Sequence, residues 1–340
     1  MQKLILAYKN FAASKNISHI GLGVSAINTA KVLRRVGFRV EVWPIVRALE
    51  LKNRLRAEPA SHVVISAPWI PSRDLQELTE AHPETQFAVN CHSNVGFLQA
   101  DTNGVKLIRE AMEIEAGTFN FHLSGNSNKF ADWIQSAYGL PCAYLPNLYD
   151  IDHGYAHHRP LYHGGVLRIG AFGAIRPLKN FLSAAGAALT ISRHMKADVE
   201  LWLSAGRTEG GDTVLRSAHA MLDGLGNIKI VESGWQSWPK FRQCVANMHL
   251  LLQPSYTESF NMVTADGIAE GVPSVVSQAI DWAPEHWKAK MDDVVDIARV
   301  GRALLGDTHA AKDGLHALGR HNQEGIGAWT GFLRSSTFHF

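Results

Sequence analysis

The sequence predicts an α/β protein made of two doubly wound domains, each built on a parallel sheet. Its length of 340 residues is too great for one ordinary core and suits two domains of roughly 150 residues each. Short, nearly continuous apolar runs alternate with amphipathic segments of helical length, which is typical of parallel strands covered on both faces. A stretch without helical period, residues 145–165, is rich in Pro, Gly, His and Tyr and divides this alternation into two halves.

Each half contains its own series of predicted strands and helices. In the first half we predict strands at 3–8, 38–43, 62–66, 86–90, 119–123 and 141–145, and helices at 25–36 and 126–138. In the second half we predict strands at 168–172, 199–203, 228–231, 249–252 and 274–277, and helices at 179–194, 213–222, 238–246 and 263–270. The expected organisation is an N-terminal Rossmann-like domain (1–146), a linker (147–165), a C-terminal Rossmann-like domain (166–310) and a segment (311–340) that crosses back to the first domain. We expect the ligand site in a cleft between the two domains.

Composition excludes several classes of protein. The chain is 46% hydrophobic and 19% charged, so it can bury sizeable cores and is not intrinsically disordered. It contains no run of about 18 apolar residues, so we expect no transmembrane helix, and the N-terminus lacks the features of a signal peptide. Three isolated cysteines argue against disulfides and CxxC metal sites, and they fit the cytoplasm.

Basic residues are concentrated at the N-terminal end of the chain. Residues 1–56 contain two acids, Glu41 and Glu50, and eleven cations, a local balance of 11 − 2 = +9. The cations are Lys3, Lys9, Lys15, Lys31, Arg34, Arg35, Arg39, Arg47, Lys52, Arg54 and Arg56. The excess is either a solvated helix face or a surface that attracts an anionic partner such as nucleic acid, anionic lipid or a phosphorylated acceptor.

The glycines Gly21 and Gly23 match the pattern G-x-G-x-x-A, and Glu41 follows about twenty positions later. In a dinucleotide-binding domain the first glycine directly follows the first strand, so that the pyrophosphate meets the start of a helix. Here the predicted strand ends at Tyr8, and twelve residues separate it from Gly21. This context disfavours NAD binding, and the glycine pair needs another explanation.

The segment "LLQPSYTESFNMVTADGIAEGVPSVVS", residues 251–277, carries the most specific pattern. Glu258 follows a predicted buried strand, at the edge where open α/β sheets bind ligands. The amides of Phe260, Asn261 and Met262 would start a helix and suit an anion such as phosphate. Asp266 on that helix could accept hydrogen bonds from a ribose. The simpler interpretation is a surface loop capped by Ser259.

This segment resembles the signature of glycosyltransferase family 4, whose members have the GT-B fold. The matching order is Glu258, Ser-Phe, Asp266 eight positions later, a small-residue helix and Gly271-Val-Pro273. Two positions depart from the family: Asp266 stands in place of a second glutamate, and Asn261 in place of a glycine. The shorter Asp266 puts the ribose contact in doubt, whereas Asn tolerates unusual backbone angles.

Other segments match the family in the same order. "FGAIRPLKN" resembles its Arg-x-x-Lys element, in which Arg176 and Lys179 would hold the donor diphosphate. "FAVNCHSN" resembles its strand-then-histidine element and would place His92 at the cleft, although a lone histidine is more often structural. "LPNLYD" resembles its hinge, and the glycines Gly21 and Gly23 fall where the family has a glycine-rich loop, so their backbone amides would approach the donor or acceptor.

The resemblance implies a retaining glycosyltransferase that uses a nucleoside diphosphate sugar, which we expect to be UDP-linked. Arg176, Lys179 and the helix start at Phe260, Asn261 and Met262 would bind the diphosphate, and Glu258 with His92 would contact the sugar. No Asp-x-Asp motif occurs, so we expect no metal and no further cofactor. The linker histidines His153, His157, His158 and His163 lack acidic or cysteine partners at a fixed spacing, which disfavours a metal site there as well.

The acceptor and the reaction leave alternatives. The basic N-terminal region favours an anionic acceptor, either DNA with hydroxymethylated bases or a lipid or envelope glycan reached by peripheral membrane contact. The absence of a strongly apolar amphipathic helix favours DNA over lipid. Two further classes stay open: a sugar-nucleotide epimerase or phosphorylase of the same fold, and a binding module that does not turn over its ligand.

Overall fold

The computed structural model describes residues 2–10, 20–151, 161–204 and 206–335. They form an α/β protein with two parallel sheets, one in each of two compact units. The first unit comprises Met1–Asp150 with His321–Phe340, and the second comprises Ile151–Arg320. Lys15 and the linker histidines His153, His157 and His158 lie outside the described residues.

The first unit contains a six-stranded parallel sheet of order β2-β1-β3-β4-β5-β6. Its strands are β1 (Lys3–Lys9), β2 (Arg39–Ile45), β3 (His62–Ser66), β4 (Gln86–Cys91), β5 (Phe121–Gly125) and β6 (Ala143–Tyr144). Its helices are α1 (Ile20–Arg35), α2 (Ala48–Ala57), α3 (Ser72–Ala81), α4 (Val95–Leu98), α5 (Thr102–Gly117) and α6 (Asn128–Tyr138).

Alternating side chains of the central strand β1 separate the two cores of this unit. Leu4 and Leu6 point to the face covered by α1, whereas Ile5 and Ala7 point to the opposite face. Helices α2, α3, α5 and α6 supply the apolar side chains of that opposite face. Both faces of β1, β3 and β4 are therefore buried, which explains why these three strands are nearly continuous in apolar character.

The second unit contains a five-stranded parallel sheet of order β11-β10-β7-β8-β9. Its strands are β7 (Leu167–Ala171), β8 (Val199–Ser204), β9 (Ile228–Ser233), β10 (Leu250–Gln253) and β11 (Ser274–Val276). Its helices are α7 (Phe181–Met195), α8 (Asp212–Leu222), α9 (Trp238–Ala246), α10 (Met262–Ala269) and α11 (Val294–Gly306). The central position of β7 and β10 brings the segments that follow these two strands to one edge of the sheet.

The last helix, α12 (Ala310–Ser335), contributes to both units. Its residues up to Arg320 belong to the second unit, where Gly314 packs against Trp287. From His321 onward the helix belongs to the first unit, where Trp329 is 2% exposed and donates its indole hydrogen to the Pro146 carbonyl at 2.9 Å. This second part of α12 covers the same face of the first sheet as α1.

Polar side chains of α1 and α12 hold the segment 146–150 of the "LPNLYD" motif in place. Thr29 accepts a hydrogen bond from the Leu148 amide at 3.1 Å, and Asn322 accepts one from the Tyr149 amide at 2.9 Å. The motif therefore has a structural explanation within the first unit: its backbone groups, which belong to no strand or helix, are satisfied by neighbouring side chains.

The structure corrects the expectation of a glycine loop. Gly21 and Gly23 lie within α1, which includes Ile20–Arg35 and therefore starts five residues before the predicted helix. Glycine costs a helix interior about 1 kcal/mol relative to alanine, so the sequence alone favoured a loop. Close packing explains Gly23, because a Cβ atom there would lie 3.1 Å from the ring of Tyr8.

Two further sequence expectations concern compartment and redox state. Across the described residues, none of the helices combines the length and apolar character needed to cross a membrane. Cys91, Cys142 and Cys244 are free thiols.

Candidate functional site

Lys179 lies in a short 3-10 turn, Pro177–Lys179, between β7 and α7. Asn180 ends this turn with φ +58°, and its side-chain amide donates to the carbonyls of Pro254 and Met291 at 3.1 and 2.5 Å. The Tyr256 amide donates to the Leu178 carbonyl at 2.9 Å. These hydrogen bonds hold the segment after β7 against the segment after β10, and they thereby fix the backbone position of Lys179.

Glu258 lies in the segment after β10 and forms an ion pair with Lys179. The Lys179 ammonium is 2.5 Å from Glu258 Oε1, and the side chains are only 16% and 11% exposed. The same oxygen accepts hydrogen bonds from Ser255 Oγ at 2.8 Å and Asn261 Nδ2 at 3.0 Å. Three donors converge on one carboxylate oxygen, which holds Glu258 in a fixed orientation.

Asn261 performs two structural tasks at once. It adopts φ +68°, in the left-handed region, and its side-chain oxygen caps α10 by accepting the Thr264 amide at 2.9 Å. Its side-chain nitrogen donates to Gln253 as well as to Glu258. Asparagine thus supplies the backbone angle that a glycine would allow and adds a cap that glycine lacks.

Two other predicted residues around α10, Phe260 and Asp266, are buried. Phe260 is 2% exposed, its ring stacks on Trp282 at 5.1 Å, and its carbonyl accepts the Trp282 indole hydrogen at 2.7 Å. Asp266 is also 2% exposed and accepts the indole hydrogen of Trp238, on α9, at 2.9 Å. Ribose binding by Asp266 and phosphate binding at the amides of Phe260, Asn261 and Met262 stay predictions.

Arg176 lies in the segment after β7 but pairs with a residue from the segment after β8. One carboxylate oxygen of Glu209 forms an ion pair with Arg176, and the other forms an ion pair with Arg207. Burial raises the pKa of Glu209, but hydrogen bonds and charge from Arg176 and Arg207 outweigh it, so the pKa is lowered overall. The carboxylate is therefore ionised at neutral pH, and it balances one of the two cations.

In the first unit, His92 directly follows β4 and lies beside the end of β5. Its Nδ1 is 3.4 Å from the side-chain nitrogen of Asn126, which donates when the ring proton is on Nε2. Burial lowers the pKa of His92 to about 4. The imidazole is therefore neutral at neutral pH and does not supply a positive charge.

Several cations of the basic N-terminal region already have partners inside the first unit. Lys3 pairs with Glu41 and Glu58 at 3.0 and 2.6 Å. Lys31 and Arg35, on α1, both pair with Asp150. Glu58 and Asp150 thus balance part of the positive excess of this region, which reduces the charge that an anionic partner would meet.

A pocket of about 370 Å³ opens at the carboxyl ends of β1 and β3 in the first unit. Lys9, Arg47 and Lys52 line it together with Trp69, and the Lys9 ammonium lies 5.5 Å from the centroid of the Trp69 ring. Asp74 and Glu77 also line it, so both charge signs are present. Such a combination of an aromatic face with charged groups suits a polar ligand that contains a ring.

Among residues 2–10, 20–151, 161–204 and 206–335, one group of three potential metal ligands converges. Ligand atoms of His286, Asp307 and Asp313 lie within 4.8 Å of one another. His286 is exposed, and exposed acids commonly cluster without a metal, so this group supports no metal assignment.

Sequence reasoning therefore identified Lys179, Glu258 and Asn261, which the structure brings together, but it missed the partners of Arg176. Arg207 and Glu209 lie in "GRTEGG", residues 206–211, which begins three positions after the last residue of the predicted strand 199–203. The rule that ligand sites gather at the carboxyl ends of parallel strands would have singled out this segment. Its charged residues match none of the family motifs described above, so the resemblance did not indicate them.

Comparisons with known proteins agree on the fold. No protein-family model matches the chain, and a search of curated proteins found no significant match. A glycosyltransferase from Rickettsia africae ESF-5 has a similar structure, with TM-score 0.66, 10% identity, and coverage of 100% of this chain and 99% of the other. Sucrose-phosphate synthase from Thermosynechococcus elongatus gives TM-score 0.66, 14% identity and 99% coverage of both chains. Alr3699/HepE from Anabaena, solved in complex with UDP, gives TM-score 0.63, 12% identity, and coverage of 99% and 100%.

These similarities confirm the predicted fold class. The chain has the GT-B fold, with two Rossmann-like α/β units, and its neighbours in structure are GT-B glycosyltransferases. Membership of family 4 and retention of configuration stay predictions.

We predict that Asn261→Ala destabilises the protein more than Asn261→Gly does. Alanine loses the cap and also resists the left-handed angle, so it should cost about 3 kcal/mol, whereas glycine should cost about 1–2 kcal/mol. The measurement is chemical unfolding. Asn247, with φ −87°, is the matched control, because there glycine should cost at least as much as alanine. Equal effects of the two substitutions at Asn261 would contradict the role of its backbone angle.

We also predict that His92 contributes to loss of stability in acid. Because the pKa of folded His92 is lowered to about 4 from 6.5, the unfolded chain binds the proton more readily. The contribution of His92 to the unfolding free energy is complete above pH 6.5 and is lost as the pH falls towards 4. The substitution His92→Asn should reduce the change in unfolding free energy between pH 4 and pH 6.5 by about 1–3 kcal/mol. His309→Asn, at an exposed histidine, should leave the slope unchanged.

Proposed function

We propose that this protein is a glycosyltransferase that moves a sugar from a nucleoside diphosphate sugar to a hydroxyl group of an acceptor. The observation that carries the proposal is the Lys179–Glu258 pair at the carboxyl ends of β7 and β10. A cation beside a rigidly held carboxylate, both only partly buried, matches the need to bind a diphosphate and a sugar side by side.

The chemistry assigns a distinct role to each residue. The acceptor oxygen forms a bond to the anomeric carbon, the bond from that carbon to the diphosphate oxygen breaks, and the acceptor hydroxyl passes its proton to the departing diphosphate. Negative charge grows on the departing diphosphate, where Lys179 and Arg176 stabilise it electrostatically. Glu258 positions the sugar and stabilises positive charge that develops at its ring. His92, as a neutral imidazole, binds a sugar hydroxyl.

The resemblance to family 4 supports two finer proposals. Transfer retains the configuration of the anomeric carbon by attack on the same face, and the donor diphosphate is bound by cationic side chains without a metal. The UDP complex of Alr3699/HepE supports a uridine nucleotide as the donor carrier.

For the acceptor, we propose an anionic molecule that binds the first unit near Arg47, which is exposed beside the pocket that contains Trp69. DNA with hydroxymethylated bases is the acceptor that the sequence favoured, and a lipid or envelope glycan at an anionic membrane surface is the alternative. Arg47 and Lys9 supply positive charge to either one.

A binding module that does not turn over its ligand is the second candidate. The observation that favours it is Asp266, whose carboxylate is buried and bonded to Trp238. Under this alternative the protein binds nucleotide sugars and releases no diphosphate, even slowly by hydrolysis.

The central test begins with a thermal-shift screen that finds the preferred nucleotide sugar. We predict that Lys179→Ala lowers turnover and weakens diphosphate binding, because a cation of the donor site is lost. Glu258→Gln should lower turnover about 100-fold or more without weakening diphosphate binding. Release of nucleoside diphosphate is the measurement. The controls are Lys229→Ala and Glu285→Gln, at exposed positions of the same unit. Turnover close to that of the unsubstituted protein in both site variants, with the fold intact, would refute the assignment.

The acceptor is tested by binding of duplex DNA and of anionic vesicles at increasing salt concentration. If DNA is the acceptor, its affinity should fall steeply with salt, and Arg47→Gln should reduce the slope by about one counterion. Arg73→Gln, at a cation that is 88% exposed and paired with Glu77, is the control. Selective binding to anionic vesicles would instead support the lipid alternative.

A further inference from the structure

Arg176, Arg207 and Glu209 form a cluster of charged side chains in the second unit. Of these three residues, the sequence predicted a role in diphosphate binding for Arg176 only. Arg176 follows β7, and Arg207 and Glu209 follow β8, so the cluster joins two neighbouring strand ends. The side chains of Arg176, Arg207 and Glu209 are 27%, 19% and 30% exposed. An anion from solvent can therefore reach all three.

Backbone hydrogen bonds hold the segments of Arg176, Arg207 and Glu209 together independently of the Glu209 carboxylate. The Ile175 amide donates to the Arg207 carbonyl, and the Glu209 amide donates to the Ile175 carbonyl, both at 2.9 Å. Gly211 packs so closely that a Cβ there would collide with the Ile175 carbonyl oxygen. Gly210, between Glu209 and Gly211, has φ +68°, a left-handed backbone angle that favours glycine. Movement of the Glu209 side chain alone would thus leave the two arginines in place.

Arg207 has a second support that does not involve Glu209. Its guanidinium carbon lies 5.4 Å from the centroid of the Trp235 ring, and Trp235 is 37% exposed. Stacking on an aromatic face keeps a guanidinium in position while its hydrogen-bond donors are exchanged between partners.

Carboxylate and phosphate oxygens both match the fork of donors on a guanidinium. We propose that Glu209 is a resident counter-ion of the donor site, that the donor diphosphate displaces it, and that Arg207 then binds the diphosphate together with Arg176. This inference rests on the proposed function, because it requires that a diphosphate occupies this site.

The charges explain why such a counter-ion is useful. Without a ligand, Glu209 balances Arg176 and Arg207, just as Glu258 balances Lys179. Two neighbouring guanidinium groups without an anion would repel each other. When the diphosphate enters, its charges replace that of Glu209, and the carboxylate turns towards solvent. Glu209 therefore competes with the ligand and weakens its binding.

The test is calorimetric titration of the full-length protein with inorganic pyrophosphate, UDP and uridine. Glu209→Gln removes the competing charge and should tighten pyrophosphate and UDP about 3- to 10-fold, whereas Arg207→Gln should weaken both by a similar factor. Uridine, which lacks phosphate, should bind equally to all variants. Glu285→Gln, at another ion-paired glutamate of this unit, controls for the change in net charge. Thermal midpoints check the fold, and Glu209→Ala provides a second variant.

The outcomes separate the two levels of the proposal. Weaker or unchanged pyrophosphate binding by the Glu209 variants would overturn the counter-ion role and show that Glu209 orients Arg176 instead. Unchanged binding by Arg207→Gln would overturn the role of Arg207. If the unsubstituted protein binds neither pyrophosphate nor any nucleoside diphosphate, the proposed function fails together with this inference.

Discussion

The rest of the candidate site depends on one carboxylate oxygen of Glu258, which accepts hydrogen bonds from Lys179, Ser255 and Asn261. Through these bonds, one carboxylate links the segment after β7 to the segment after β10 and to the start of α10. The arrangement is possible because β7 and β10 are adjacent parallel strands, whose carboxyl ends lie at the same edge. Asn261 completes it by combining a left-handed backbone angle with three side-chain hydrogen bonds.

The fold was largely predictable from the sequence, because the inner strands of both sheets are buried on both faces. All eleven predicted strands overlap observed ones, and α9 has the predicted bounds Trp238–Ala246. Local patterns failed where packing outweighs propensity. Gly23 lies in a helix although glycine disfavours helices, and a Cβ there would lie only 3.1 Å from the ring of Tyr8; the buried contact of Asp266 with Trp238 joins residues 28 positions apart. Single-sequence patterns do not encode such pairings.

The charged residues of the second unit follow one principle. Each cation expected to meet a diphosphate has a carboxylate partner within the chain: Lys179 has Glu258, and Arg176 has Glu209. Partly buried cations are costly unless they are paired, so a site for a highly charged ligand needs internal anions while it is empty. The net charge of +2 for the whole chain hides this local balance, as it hides the ion pairs within the basic N-terminal region.

Helix α12 has a consequence for how the protein is made. The first unit is discontinuous in sequence: its face lined by Leu4, Leu6 and Val64 is covered in part by Trp329, Phe332 and Leu333. A ribosome releases those residues only after it has synthesised the entire second unit. The N-terminal unit therefore completes its core last although it is translated first, and until then its apolar face must be shielded from other nascent chains.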